Sequence, residues 1–277
     1  MLYFLDYAWA NRQFYQNDLL FTYFNKLAAL SKEIPHYSEQ WVSSDDVLLL
    51  GAFGHPWTRS KYTDGIVQEV WSEIIERFNH IYVYIEDMHG HTFRWEEFEK
   101  FLSKPHVGAI LTYDNVDQAK RVKQITKWNW VPHHIDLSIF YNARIERSTE
   151  YFSYGSLGPH YPKRTQIIRS LQSAGAAVEI LEHPGYAAMR HDVVQEKLAA
   201  KLNQVKNLVV APPICGYAVA KYFEGAACGC SLYGELCPDL EVLGFKLNSA
   251  THNDEIIQKY GLPQWIEKIK MVCRPNL

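Results

Sequence analysis

"TEYFSYGSLGPHYPKRTQIIRSLQSAGAAVEILE" runs from Thr149 to Glu182, and its pattern decides the fold. The first part, "TEYFSYG", is a β-prone run closed by Gly155. In "KRTQIIRSLQSAG", Ile167, Ile168 and Leu171 recur at helical spacing, and Gly175 stands where a helix ends in a left-handed residue. "AAVEILE" then reads as a second buried strand. A strand, a helix and a strand of these lengths predict a parallel pair joined by a crossover helix.

The same alternation extends in both directions. Downstream, "QEKLAAKLNQV" predicts a helix, "NLVVAPP" a strand, "VAKYFEGAACG" a helix and "CSLYGEL" a strand, with "GLPQWIEKIKMV" a closing helix. Upstream, "DVLLLGAFG", "IYVYIED", "GAILTYD" and "WNWVPHH" read as buried strands. Between them, "DGIVQEVWSEIIERF" (Ile66, Val70, Ile74 and Ile75 on one stripe) and "VDQAKRVKQIT" show helical spacing. The expected class is α/β with two largely parallel sheets meeting at the polar stretch "YNARIERS", Tyr141 to Ser148.

Composition narrows the partners. A chain of 277 residues with 47% hydrophobic residues can bury a sizeable core. A formal net charge of −3, with no run of Lys or Arg longer than two, argues against a nucleic-acid groove or an anionic membrane surface. "MLYFLDYAWANRQF" places Asp6 and polar residues too early for a secretory apolar region, and no run is long enough to span a bilayer, so the expectation is a soluble, cytoplasmic protein without a transmembrane segment. Cys215, Cys228, Cys230 and Cys237 have no two-residue gap among them, which favours small buried thiols over a zinc site.

Ligands of parallel sheets collect outside the carboxyl ends of the strands, which directs attention to the loops after Tyr154, Leu181, Val210 and Tyr233. In "YGSLGPHYPKRTQ" two glycines allow close backbone approach, Pro162 can open a helix, and Lys163 and Arg164 occupy its first turn, where cations oppose the helix dipole. Cations, exposed amides and a helix N-terminus together make an anion site suited to a phosphate or diphosphate. The alternative is a solvated Lys-Arg pair beside an ordinary turn. In "LEHPGY", Glu182 and His183 stand just past a strand, able to touch a ligand or to serve the Pro-Gly turn. In the helix after "APPICGY", Val219, Ala220, Phe223, Ala226 and Ala227 are expected to face the sheet, with Lys221, Glu224 and Cys228 on the other side. Glu224 is then either one partner of an exposed Lys221–Glu224 pair or an acceptor for two adjacent ribose hydroxyls.

The segments "YGSLGPHYPKR", "EHPGY" and "KYFEGAACGCSLYGEL" stand in the order found in the C-terminal domain of retaining GT-B glycosyltransferases. Over residues 150–245 the chain resembles family four and the related spore-maturation-type glycosyltransferase-like proteins, and in general character it is similar to glycan-building enzymes of large algal viruses. The resemblance implies a GT-B fold, two Rossmann-like α/β domains facing each other across a cleft. Residues 1–143 would form the acceptor side and 144–277 the nucleotide-sugar domain, with the last helix packing back on the first domain. It implies transfer of a hexose or deoxyhexose from a UDP- or GDP-linked donor to a glycan or glycoprotein acceptor, with retention, no required cofactor and no expected divalent metal.

By the same resemblance Glu224 holds the donor ribose, the amides around Tyr217, Ala218 and Val219 hold the diphosphate, and Arg164 matches the basic phosphate residue, with Lys163 beside it. Gly155, Ser156, Tyr161, Glu182, His183 and Lys221 complete the donor side. In the N-terminal half, "GAFGHPW" and "IEDMHGH" end predicted strands, and His89 fits the family's histidine near the donor sugar, with His55 and Asp87 on the acceptor side. His89 and His91 read otherwise as solvated loop residues or as two metal ligands. Two departures stand out: Gly216 occupies the position of an acid eight residues ahead of the ribose acid, and Ser156 that of a second arginine. The rival readings are a nicotinamide-dependent oxidoreductase, with Glu182 as the ribose acid but without the usual glycine spacing, and a non-catalytic nucleotide or carbohydrate binder.

Overall fold

The structure, a computed structural model, describes residues 1–5, 34, 43, 45–50, 76–85, 95–182 and 196–274. The chain divides into two compact units: among the described residues the first holds those up to Pro132 and from Ile266 onward, and the second holds His133–Trp265.

The first unit carries a parallel sheet of β1 (Leu2–Leu5), β2 (Val47–Leu50), β3 (His80–Ile85), β4 (Val107–Leu111) and β5 (Lys127–Trp130), in that spatial order. Leu2 lies opposite Val47, Val47 opposite His80, Ile81 opposite Val107 and Gly108 opposite Lys127. The four residues of β2 and the five of β4 are all buried. Such strands read as unbroken apolar runs because both faces of a parallel sheet are covered. Between the strands lie α1 (Trp95–Leu102), burying Phe98, Phe101 and Leu102, and α2 (Asp117–Lys123), burying Ala119 and Val122. β1 and α1 were not anticipated, although Phe98, Phe101 and Leu102 do have helical spacing. Most of the helix expected over 64–78 lies outside the described residues.

In the second unit, β6 (Thr149–Gly155), β7 (Val178–Glu182), β8 (Val205–Val210) and β9 (Ser231–Gly234) form a parallel sheet in the order β7-β6-β8-β9. The chain steps from β6 to β7, then crosses back over β6 to reach β8, so the winding reverses between β6 and β8. The helices are α3 (Pro162–Ser173), α4 (Glu196–Asn203), α5 (Ala220–Ala227), α6 (Pro238–Val242) and α7 (Ala250–Ile257); after a 3₁₀ turn at Gln258–Tyr260, α8 (Leu262–Val272) runs from this unit into the first.

The strand pleat sorts the second core into two layers. Phe152, Tyr154, Leu208, Val210 and Leu232 join Leu198, Leu202, Tyr222 and Phe223 on one side. Val209 packs with Ile168 and Leu171 on the other, with Tyr151, Ile180 and Tyr233 at its margin. Helices therefore cover both faces, a doubly wound Rossmann-like arrangement. The strands and helices expected from Thr149 to Gly234 are present; α6, α7 and the 3₁₀ turn, all short, were not anticipated. All five cysteines are free; burial holds Cys230 and Cys237 as thiols, with pKa values pushed up to about 12 and about 11. Among the described residues no helix is long and apolar enough to cross a membrane.

Candidate functional site

The winding of the sheet reverses between β6 and β8, and the carboxyl ends of strands at such a reversal are where sheets of this kind take ligands. The centre of the site is the carbonyl of Tyr154. The strand ends on Gly155, whose φ of +84° turns the chain away; a Cβ there would lie 3.1 Å from the Lys221 ammonium and 3.7 Å from Arg164 Nη1. Glycine satisfies both the left-handed backbone and the close approach of two cations.

Those cations reach the carbonyl from opposite sides of the sheet. Arg164, in the first turn of α3, donates from Nη1 to the Tyr154 oxygen at 2.9 Å. Lys221, in the first turn of α5, donates to the same oxygen at 2.6 Å. Arg164 is 0% exposed, and its guanidinium lies 4.1 Å from the centre of the Tyr161 ring. Its Nε and Nη2 have no hydrogen-bond partner among the described residues. A buried donor left unmatched costs about 1–3 kcal/mol, and more when charged, so these two nitrogens mark a place for an acceptor.

Glu224 completes the cluster. Its Oε2 accepts a hydrogen bond from the Tyr154 hydroxyl, while the Tyr154 ring supports the Lys221 ammonium at 4.4 Å. Burial raises the Glu224 carboxyl above the usual range, against the pull of the Tyr154 hydrogen bond and the Lys221 charge. Burial also holds Lys221 well below the ordinary lysine value, reinforced by Arg164 and opposed by Glu224. Tyr154 is raised by burial and by Glu224, which keeps it a donor.

α5 does not take the orientation that its helical spacing predicts. Every residue from Lys221 to Ala227 is buried, and Glu224 points inward to Tyr154 rather than away from the core, so an exposed Lys221–Glu224 pair is not what the helix presents. Gly225 allows this depth: a Cβ there would fall 2.4 Å from Leu208 Cδ2, so the helix lies directly on β8. Ahead of α5, the Ile214 amide donates to the His160 carbonyl at 2.9 Å, tying the loop after β8 to the loop after β6. Gly216 has φ +78°, Tyr217 and Ala218 are buried, and Val219 opens α5 without a side-chain cap. Tyr161 opens α3 likewise, with Pro162 in its first turn.

Lys163 is half exposed and forms an ion pair with Glu235, while its neighbour Arg164 turns inward. Ser156 accepts the Gly158 amide at 3.2 Å. Glu182 ends β7 directly opposite Gly155. His55, Asp87, His89 and His183 lie outside the described residues. Tyr154 was missed: as a strand residue it read only as core, and the 70 positions that separate it from Glu224 gave no sign of their contact. A shallow groove along α3, lined by Leu157, Pro159, Gln166 and Arg169 among others, shares none of the cluster's residues.

No family profile matches the sequence. No curated protein matches it. Among solved structures, a glycosyltransferase from Rickettsia africae ESF-5 is similar with TM-score 0.50 and 7% identity, over 98% of this chain and 97% of that one. The pneumococcal O-GlcNAc transferase GtfA, in complex with UDP and GlcNAc, gives TM-score 0.48 and 13% identity over 90% of this chain. Anabaena HepE, in complex with UDP and glucose, gives 0.48 and 10% over 99% of this chain and 95% of that one. The chain spans 59% of the length of the GtfA chain. At 7% identity, the likeness to the Rickettsia protein concerns the fold, an α/β chain with two parallel-sheet units.

Proposed function

We propose that this chain is a glycosyltransferase of the GT-B fold, moving a hexose or deoxyhexose from a UDP- or GDP-linked donor to a glycan hydroxyl with retention of configuration. The observation that carries the reading is Arg164: fully buried at the carboxyl end of β6, with two guanidinium nitrogens that no described residue satisfies. A diphosphate supplies paired acceptor oxygens for such a fork. The uncapped first turns of α3 and α5 add amides on either side of the same strand end. Glu224 supports the nucleotide half of the reading, since Tyr154 occupies Oε2 and leaves Oε1 for a ribose hydroxyl. The likeness in fold to a glycosyltransferase agrees with it.

In this reading the sugar leaves from the diphosphate, Arg164 and the helix amides stabilise the charge that develops there, and the incoming hydroxyl gives its proton to the departing phosphate. Residues 144–277 hold the donor, with Gly155, Ser156, Tyr161, Glu182, His183 and the Tyr217–Val219 amides around it. Residues 1–143 present His89 to the donor sugar and His55 and Asp87 to the acceptor. A second reading, a nucleotide binder without turnover, is favoured by Gly216: the position of the expected acid holds a glycine with left-handed backbone, a conformation in which a glutamate is strained.

Calorimetric titration with UDP, GDP and NAD, followed by a screen of UDP- and GDP-sugars for hydrolysis and transfer, tests the proposal. Binding of one nucleoside diphosphate with release of sugar supports it. Selective binding of NAD overturns it, and nucleotide binding without release of sugar from any donor favours the second reading.

A further inference from the structure

We infer that Lys221 is a second diphosphate-binding cation, its ammonium and the Arg164 guanidinium forming one anion seat around the Tyr154 carbonyl at the carboxyl end of β6. The inference rests on the nucleotide-diphosphate reading for the identity of the ligand, and on the geometry for the seat itself.

The loop Gly155–Tyr161 contains no lysine or arginine, so the positive charge at this strand end comes from helices on the two faces of the sheet. Lys221 is 8% exposed. Its one hydrogen-bond acceptor among the described residues is the Tyr154 oxygen, which leaves two of its three ammonium protons without one. Arg164 donates to the same oxygen and keeps Nε and Nη2 unmatched. A strand-end carbonyl has two lone pairs, and neutral donors would fill them at far lower desolvation cost than two charges. Glu224 is the one buried carboxylate that faces the pair among the described residues, so the cluster Arg164, Lys221, Glu224 and Tyr154 holds one more positive charge than negative when all three ionisable chains are charged.

An excess cation in the interior is unfavourable unless an anion joins it. Burial and the Arg164 charge both depress Lys221, and an anion beside the two cations would act in the opposite direction. A diphosphate at this strand end would take bidentate contacts from Arg164 and a point charge from Lys221, the division of labour suited to guanidinium and ammonium groups.

The test compares inorganic pyrophosphate, UDP, GDP, uridine and guanosine on the full chain and on Lys221→Met and Lys221→Gln, the second of which keeps a donor for the Tyr154 carbonyl without the charge. Circular dichroism and thermal midpoints establish folding. Loss of about tenfold to a hundredfold in affinity for pyrophosphate and for the bound nucleoside diphosphate, with nucleoside affinity unchanged, is expected for loss of one charge-assisted contact. If Lys221→Met does not fold, Lys221→Gln decides. A folded variant that binds pyrophosphate as the parent does overturns the role of Lys221 and leaves the nucleotide reading standing. A parent that binds pyrophosphate, weakened by either substitution, but neither UDP nor GDP overturns the nucleotide reading and supports the anion seat. A parent that binds no phosphate ligand overturns both.

Discussion

The phenol of Tyr154 donates a hydrogen bond to the carboxylate of Glu224, 70 residues further along the chain, with both side chains buried. One residue thus organises the whole cluster: its hydroxyl positions the acid, its carbonyl gathers Arg164 and Lys221, and its ring supports the ammonium. Replacing it by phenylalanine keeps the ring and the carbonyl but leaves a buried carboxylate without its donor. Tyr154→Phe is expected to lose about 1–3 kcal/mol of stability, read from urea unfolding midpoints. An unchanged midpoint would show that the pair is not formed in solution.

Glu224 has a pH signature with a definite sign. Its pKa is raised in the folded chain, so its contribution to stability is complete below the ordinary carboxylate value and is lost as pH rises through the elevated folded value. The parent should therefore lose stability across that window in a way that Glu224→Gln, which retains an acceptor for the Tyr154 hydroxyl, does not. Denaturant midpoints at a series of pH values separate the two, and parallel curves would contradict the raised pKa. At neutral pH the same variant is expected to bind its nucleoside diphosphate about tenfold to a hundredfold more weakly if the acid holds the ribose.

Arg164 and Lys163 are neighbours in sequence with different fates. Arg164→Ala is expected to weaken a nucleoside diphosphate by about tenfold or more while affecting the nucleoside little, because charge-assisted contacts to phosphate are the stronger class. Lys163→Ala removes an exposed ion pair with Glu235 and is expected to change stability by at most about 1 kcal/mol. Titrations of both variants with diphosphate and nucleoside give the comparison. Equal losses for the two ligands in Arg164→Ala would mean that it acts through folding alone.

Gly234 ends β9 opposite Val210, with φ +133°. A Cβ there would fall 2.1 Å from the Val210 carbonyl oxygen, a backbone atom that cannot swing aside. Gly234→Ala is expected to cost about 1–3 kcal/mol from overpacking and backbone strain together, measurable as a lowered unfolding midpoint. A neutral result would place β9 differently against β8.

Sequence by itself determined the order and type of the elements from Thr149 to Gly234 and the loops where chemistry gathers. The reason is local: apolar runs of strand length, helical spacing in "QIIRSL", and glycines at turns are properties of neighbouring residues. It also singled out Arg164 and Glu224, since charges in small apolar segments are conspicuous in any order of reading. Their directions were decided only by the tertiary structure. Helical periodicity assigned Glu224 to an outward face on the assumption that α5 has one; burial on every side, made possible by Gly225 lying against Leu208, removed that face. Likewise Lys163 and Arg164 looked like one paired feature until α3 docked on the sheet and sent one to Glu235 and the other to the Tyr154 carbonyl. The meeting of Tyr154, Arg164, Lys221 and Glu224 depends on strand order, because only the reversal between β6 and β8 brings the first turns of α3 and α5 to the same strand end. Spacing along a chain specifies the faces of single elements, whereas contact between elements is fixed by how the sheet is wound.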